Sequence, residues 1–200
     1  MSPSFISVMR VSILDDIIDA RADSTVAASD LLRKVQVAAH RLGAADVVAW
    51  VKSELTGYGT DSPLPEYRMR AAEVVGVYTG PMQQVREFNL SVRLSSLDRW
   101  WTVEMRQPVM EIQAFAEAEG NLSRKWSAYA VHEYEQSKLF ALEFFGLYKA
   151  HHVITPQSLR GVIDVIRSKA LEFALELQSA DPDAGPLAAR RSTNPLWLAH

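Results

Sequence analysis

The stretch from Ser29 to Tyr58 constrains the fold most, because it holds two apolar stripes separated by one glycine. Its first half has the i, i+3, i+4, i+7 spacing of an amphipathic helix, and Gly43 follows where a left-handed helix end is expected. The second half repeats this spacing and ends at Gly57. We predict two helices packed as an antiparallel hairpin, whose stripes need cover from elsewhere in the chain. The stripe residues are Ala28, Leu31, Leu32, Val35, Ala38, Ala39 and Leu42, then Val47, Val48, Val51 and Leu55, with Trp50 at the border.

The sequence that follows the hairpin predicts a small sheet and one long helix. Residues 67–78 are rich in β-branched and aromatic side chains, and residues 83–94 alternate, which indicates an antiparallel strand pair. A short strand is expected at 149–154, a helix at 129–143 and a connector at 122–126. Thr155 and Pro156 mark the start of a helix whose apolar stripe continues to Leu177.

These elements predict an α+β fold that is mostly helical. The N-terminal hairpin and the long C-terminal helix form a bundle, and the bundle packs on a small antiparallel sheet. We expect one domain over residues 1–178. Residues 179–200 have no period and many helix breakers, which is typical of a flexible tail.

Composition and missing motifs argue against several classes of function. The net charge of −3 and the isoelectric point near 6.0 argue against non-specific nucleic-acid binding as the main role. The absence of cysteine excludes disulfides, thiolate metal sites and a cysteine nucleophile. No apolar run approaches the about 20 residues of a membrane span, and no signal peptide is evident, so we expect a cytoplasmic protein without membrane contact. Phosphate-loop, dinucleotide-binding, serine-hydrolase and zinc-protease motifs are missing, so we predict neither a cofactor nor a metal.

One set of polar residues forms a candidate site. Two members lie four apart on the second hairpin helix, and two lie three apart on the long C-terminal helix, so packing of these helices would gather them. One reading is a pocket with acid and base capacity. The other is a network of ion pairs that locks helices and strand together, and we favour it because structural pairs are commoner than active sites. The set is Glu54, Tyr58, Tyr67, Arg68, Asp164 and Arg167.

Basic residues also lie along the hairpin. Arg33, Lys34, Arg41 and Lys52 would suit a nucleic-acid face, but acidic residues are interleaved with them. A solvated face of mixed charge is the favoured reading.

Three motifs carry a family resemblance. The pattern W-x₃-E-L-x-G-Y (Trp50 to Tyr58) is followed by P-x-Y-R (Pro65 to Arg68) and by the turn Thr79-Gly80-Pro81. With the closing stretch ITPQSLRGVIDVIRSKALEFALEL, which contains Asp164 and Arg167, this order resembles the AbiTii domain family. The resemblance covers most of residues 10–178 and is weakest over 85–139.

The resemblance implies a role in bacterial abortive infection, a defence against phage. It brings no catalytic residues. We therefore expect a protein-interaction effector or adaptor domain that associates with itself or with another defence protein. An enzyme-type toxin acting on nucleic acid and a structural interaction domain outside defence are the alternatives.

Overall fold

A computed structural model describes residues 16–20, 25–90 and 95–179, with the side chains of 95, 96, 178 and 179 left out. The described residues form two compact units. The first contains those up to Tyr67, together with Arg106–Ala114 and those from Arg160 onward. The second contains the described residues of Arg68–Met105 and all of Phe115–Leu159. The predicted α+β, mostly helical class is confirmed.

The predicted hairpin is present in the first unit. Helix α1 is Ala28–Leu42, and helix α2 is Ala45–Thr56. Gly43 adopts the left-handed conformation (φ 70°) between them, as predicted, and its N–H caps carbonyls at the end of α1. The apolar face of α1 is buried along its length.

The buried face of α2 differs from the predicted stripe. It runs through Val47, Trp50, Val51 and Glu54 instead of Val48 and Leu55. Trp50 and Glu54 are buried because each has a hydrogen-bonding partner within the first unit. The helix is therefore turned toward its polar partners, which a pattern of apolar residues alone does not show.

The described residues also contain the helices α3 (Val109–Glu117), α4 (Ala128–Ser137) and α5 (Pro156–Ser179). The predicted helix start at Thr155 is confirmed, since its hydroxyl accepts a hydrogen bond from the Ser158 N–H at 3.2 Å. The helix predicted at 129–143 ends earlier, where Lys138 takes a left-handed conformation. Residues 16–20 are also helical.

Six strands belong to the second unit. Strands β2 (Glu73–Thr79), β3 (Val85–Leu90), β5 (Leu122–Lys125) and β6 (Gly146–Ile154) form an antiparallel sheet in the order β3-β2-β6-β5. Strands β1 (Met69–Ala71) and β4 (Thr102–Glu104) form a separate pair. The strand predicted before α5 is confirmed. The predicted antiparallel pair is present as β2 and β3, but the strand predicted over 67–78 is interrupted, because residues 69–71 pair with β4 instead. Residues 91–94 of the other predicted strand lie outside the described residues. The connector predicted at 122–126 is wrong, because it contains β5.

An aromatic core supports this sheet. Trp101, Trp126 and Tyr134 pack with ring centroids 5.2 to 6.0 Å apart. His152 of β6 lies against Trp126, and burial lowers the pKa of its imidazole. Large aromatic side chains thus form part of the apolar core of this unit, together with aliphatic residues such as Val74, Leu90 and Leu147. The single-domain prediction stays a prediction, and residues 180–200 of the predicted tail lie outside the described residues.

Candidate functional site

Trp50, Glu54 and Tyr58 follow one another at intervals of four residues. On a helix this spacing places side chains on the same face, which holds for Trp50 and Glu54, whereas Tyr58 lies beyond the end of α2 at Thr56. Glu54 lies in the last part of α2 and is fully buried. A buried carboxylate needs hydrogen bonds to offset its lost hydration, and the neighbouring aromatic residues provide them.

The bonds form a short branched chain. The hydroxyls of Tyr58 and Tyr67 both donate to Oε1 of Glu54, each at 2.6 Å. The indole Nε1 of Trp50 donates to the Tyr67 hydroxyl oxygen at 2.8 Å. Hydrogen bonds to a charged acceptor are shorter and stronger than those between neutral groups. We call Trp50, Glu54, Tyr58 and Tyr67 the Glu54 cluster.

The environment of the cluster keeps its tyrosines protonated. Burial, followed by the nearby charge of Glu54, raises the pKa of Tyr58 well above the ordinary tyrosine value. The same two causes raise the pKa of Tyr67. Each tyrosine therefore holds its proton at neutral pH and can donate a hydrogen bond to Glu54.

A lysine of α5 lies beside the cluster. The Nζ atom of Lys169 is 5.6 Å from the centroid of the Tyr67 ring, within the range of a cation–π contact. Burial lowers the pKa of Lys169, while the charges of Glu172 and Glu54 act in the opposite direction. The ammonium group partly balances the buried carboxylate.

The backbone after α2 is fixed by Arg106. Its carbonyl oxygen accepts a hydrogen bond from the Tyr58 N–H at 2.8 Å, and its guanidinium donates to the carbonyls of Gly59 (2.5 Å) and Ser62 (3.0 Å). Gly57 has φ 85° and ψ 168°, a conformation essentially restricted to glycine. A Cβ atom at this position would lie 2.8 Å from the same Arg106 oxygen. These contacts direct Tyr58 back toward Glu54.

Among the six predicted site residues, Glu54 is bonded to Tyr58 and Tyr67. Arg68 belongs to the second unit, where its buried guanidinium donates to the Met105 carbonyl at 2.9 Å. Arg167 donates to the carbonyls of Val26 (2.6 Å) and Ala20 (3.1 Å). Asp164 is exposed on α5.

Sequence reasoning missed two participants. Trp50 could have been found, because it precedes Glu54 by one helical turn and its indole needs an acceptor when buried. Lys169 gave no such signal, since its neighbours in sequence do not include any member of the cluster. A catalytic role for the predicted set stays a prediction.

The arrangement favours a structural role. Glu54 accepts two hydrogen bonds on one oxygen, and the donors are groups that hold their protons. Such a network fixes the end of α2 against the segment that follows it. Within the described residues, no group of three or more histidine, aspartate or glutamate side chains could hold a metal ion.

Comparison with known proteins tests the family resemblance. A family model described as AbiTii matches residues 12–193, which is most of the chain. The chain belongs to the AbiTii family. This family is associated with abortive infection and phage defence. No curated protein and no solved structure matches.

The family motifs supply the residues of the Glu54 cluster. The W-x₃-E-L-x-G-Y and P-x-Y-R motifs of this AbiTii chain contribute all four members of the cluster. Gly57 of the first motif makes the close approach to Arg106. Several residues that carry the family resemblance thus form the hydrogen-bonded Glu54 cluster of the first unit. In the described part of the chain, no helix has the length and apolar character to cross a membrane.

Proposed function

We propose that this AbiTii chain serves phage defence through protein contact, as an effector or adaptor domain, and not through catalysis. The observation that carries the proposal is a pair of exposed apolar side chains in the second unit. Met82 is 89% exposed and Phe144 is 77% exposed. Large apolar side chains held in solvent are costly to solubility and are typical of interaction sites.

The backbone at both residues supports this reading. Met82 has φ 54° and Phe144 has φ 66°, a left-handed conformation that is unusual for any residue other than glycine. Strained positions persist where the surrounding structure imposes them, and they concentrate at functional sites.

The two residues flank the same end of the sheet. Met82 lies in the turn between β2 and β3, and Phe144 precedes β6. Thr79 of β2 pairs with Gly146 of β6, and the Phe145 ring lies against Gly80. The β2–β3 turn that contains Met82 and the loop that contains Phe144 are therefore neighbours, and these two apolar side chains can contact one partner.

A phage-challenge assay tests the proposal in cells that carry the chain with its native neighbouring genes. The variants are Met82→Asn and Phe144→Asn, because asparagine tolerates the left-handed conformation while removing the apolar surface. We expect both to fold normally and to lose protection. Met110→Gln is the matched control, since Met110 is an exposed methionine in the first unit.

Full protection by both asparagine variants would overturn the proposal. A nucleic-acid toxin is the opposing outcome, tested by incubating the purified chain with RNA or DNA and divalent cations. Degradation that Glu54→Gln abolishes in a folded variant would establish catalysis at the Glu54 cluster instead.

A further inference from the structure

The two edge strands of the larger sheet differ in their capacity to pair. Strand β5 has four residues, including Arg124 and Lys125, and short charged edges discourage pairing with another chain. Strand β3 has six residues and pairs with β2 without a bulge from Val85 to Leu90. It contains no proline or glycine. Among the described residues, β3 is therefore the longer and more regular edge, although Arg86 and Glu87 also place charges on it.

The direction of the β3 main-chain groups follows from the turn. The Gly80 N–H donates to the Gln84 carbonyl at 2.9 Å, so these two residues form a hydrogen-bonded pair. Such pairs alternate along an antiparallel ladder, so Arg86, Phe88 and Leu90 bond to β2. The N–H and C=O groups that point to the free edge belong to Val85, Glu87 and Asn89, whose side chains are also exposed.

A second copy of the chain could pair with this edge in few ways. If a two-fold axis joins two β3 strands into one continuous sheet, residues that lie opposite each other must belong to the same face of that sheet. The β3 residue at the axis then lies opposite its own copy in the other chain. Centring on Arg86 or on Glu87 places like charges opposite each other, which is unfavourable. A pairing in which Phe88 lies at the axis avoids this contact between like charges and places Glu87 opposite Asn89 of the other copy.

The Phe88-centred register also matches the hydrogen-bonding requirement. Glu87 and Asn89 are both outward-pointing residues, so their main-chain groups can bond to each other across the axis. Their side chains lie on one face, where the Asn89 amide can donate to the Glu87 carboxylate. We propose that a second copy of the chain docks on β3, antiparallel and centred on Phe88. The proposal deepens the proposed function, on which it rests, by naming one contact partner.

Light scattering after size-exclusion chromatography of the full chain, over a range of concentrations, tests the dimer. An edge contact of this length buries little side-chain area, so we expect reversible dimerisation with a Kd on the order of micromolar. A monomer at every concentration would overturn the proposal. A ladder of growing oligomers would overturn it too, because pairing of β3 with β5 does not close.

Charge variants test the register. Asn89→Glu places like charges opposite each other at two symmetric positions, so the dimer Kd should rise about tenfold. The double variant Glu87→Lys with Asn89→Glu places opposite charges there and should restore dimerisation. An unchanged Kd for Asn89→Glu, or no rescue by the double variant, would reject the Phe88-centred pairing.

A backbone variant tests the edge itself. Glu87→Pro removes an outward N–H without removing a bond to β2, so the dimer should be lost while the thermal unfolding temperature changes little. Glu87→Ala is the control, because it keeps the N–H, and it should still dimerise. If Glu87→Pro still dimerises, another surface makes the dimer. Chains that protect cells as monomers would reject this inference and leave the proposed function standing.

Discussion

The hydroxyl of Tyr67 donates to Oε1 of Glu54 at 2.6 Å, across a sequence separation of 13 residues that includes the end of α2. This bond links the two family motifs of the first unit to each other. Glu54 is fully buried, so its hydration has been replaced by protein donors. The stability of the first unit should therefore depend on this carboxylate more than on an exposed ion pair.

Replacing Glu54 tests this dependence. Glu54→Ala removes the acceptor of two tyrosine hydroxyls and should lower the free energy of unfolding by about 3 kcal/mol. Glu54→Gln keeps an acceptor oxygen and should cost about half as much. Urea denaturation measures both values. Asp30→Ala is the control, since the Asp30–Arg33 pair is exposed and should contribute little. An alanine variant as stable as the original chain would contradict a locking role.

The pH dependence of unfolding tests the state of Tyr58. Burial and the Glu54 charge raise its pKa in the folded chain, so the folded state holds this proton more tightly than the unfolded state does. The resulting stability is complete below about pH 10, the pKa of an exposed tyrosine, and is lost as the pH rises beyond it.

Tyr58→Phe removes this titration. Between about pH 9 and pH 11 the variant should lose less stability than the original chain, as measured by urea denaturation at each pH. The lowered pKa of Lys169 acts in the opposite direction, but Lys169 is present in both proteins. Tyr148→Phe, at an exposed position, should leave the alkaline loss unchanged. Parallel pH profiles for Tyr58→Phe and the original chain would show that Tyr58 is not held as described.

Glycine at position 57 should be irreplaceable. Gly57→Ala forces a side chain into a glycine-only conformation and against the Arg106 carbonyl, so we expect a loss of about 3 kcal/mol or more. Gly43→Ala is the matched control. Gly43 is also left-handed, but an added Cβ atom meets nothing within 4 Å, so the expected loss is about 1 kcal/mol. Equal losses in thermal or urea unfolding would mean that the Arg106 contact does not matter.

Local patterns predicted the local parts of this structure. The helices α1 and α2, the Gly43 corner, the strand pair β2–β3 and the Thr155 cap each follow from residues a few positions apart. Strand β5 was missed because its exposed sequence, Leu122 to Lys125, has no buried face to impose alternation. The sequence predicted the Glu54–Tyr58 contact from helical spacing, but α2 ends at Thr56, and the contact depends on the turn at Gly57. Tyr67 and Lys169 join it through tertiary packing, which no sequence period encodes.

The long-range contacts of Arg167 illustrate the same limit and provide the last prediction. The sequence suggested a pair between Arg167 and Asp164, and the structure adds bonds that no sequence spacing predicts, since the Arg167 guanidinium donates to the carbonyls of Val26 and Ala20, 141 and 147 residues away. Arg167→Met keeps the apolar stem but leaves these buried carbonyls without a donor, so it should cost about 3 kcal/mol. Asp164→Ala changes an exposed position and should cost less than about 1 kcal/mol. Urea denaturation of both single variants and of the double variant measures each loss and the coupling between the two side chains. A loss for Arg167→Met no larger than that for Asp164→Ala would contradict the importance of the carbonyl contacts, and non-additive losses would show that the two side chains also interact.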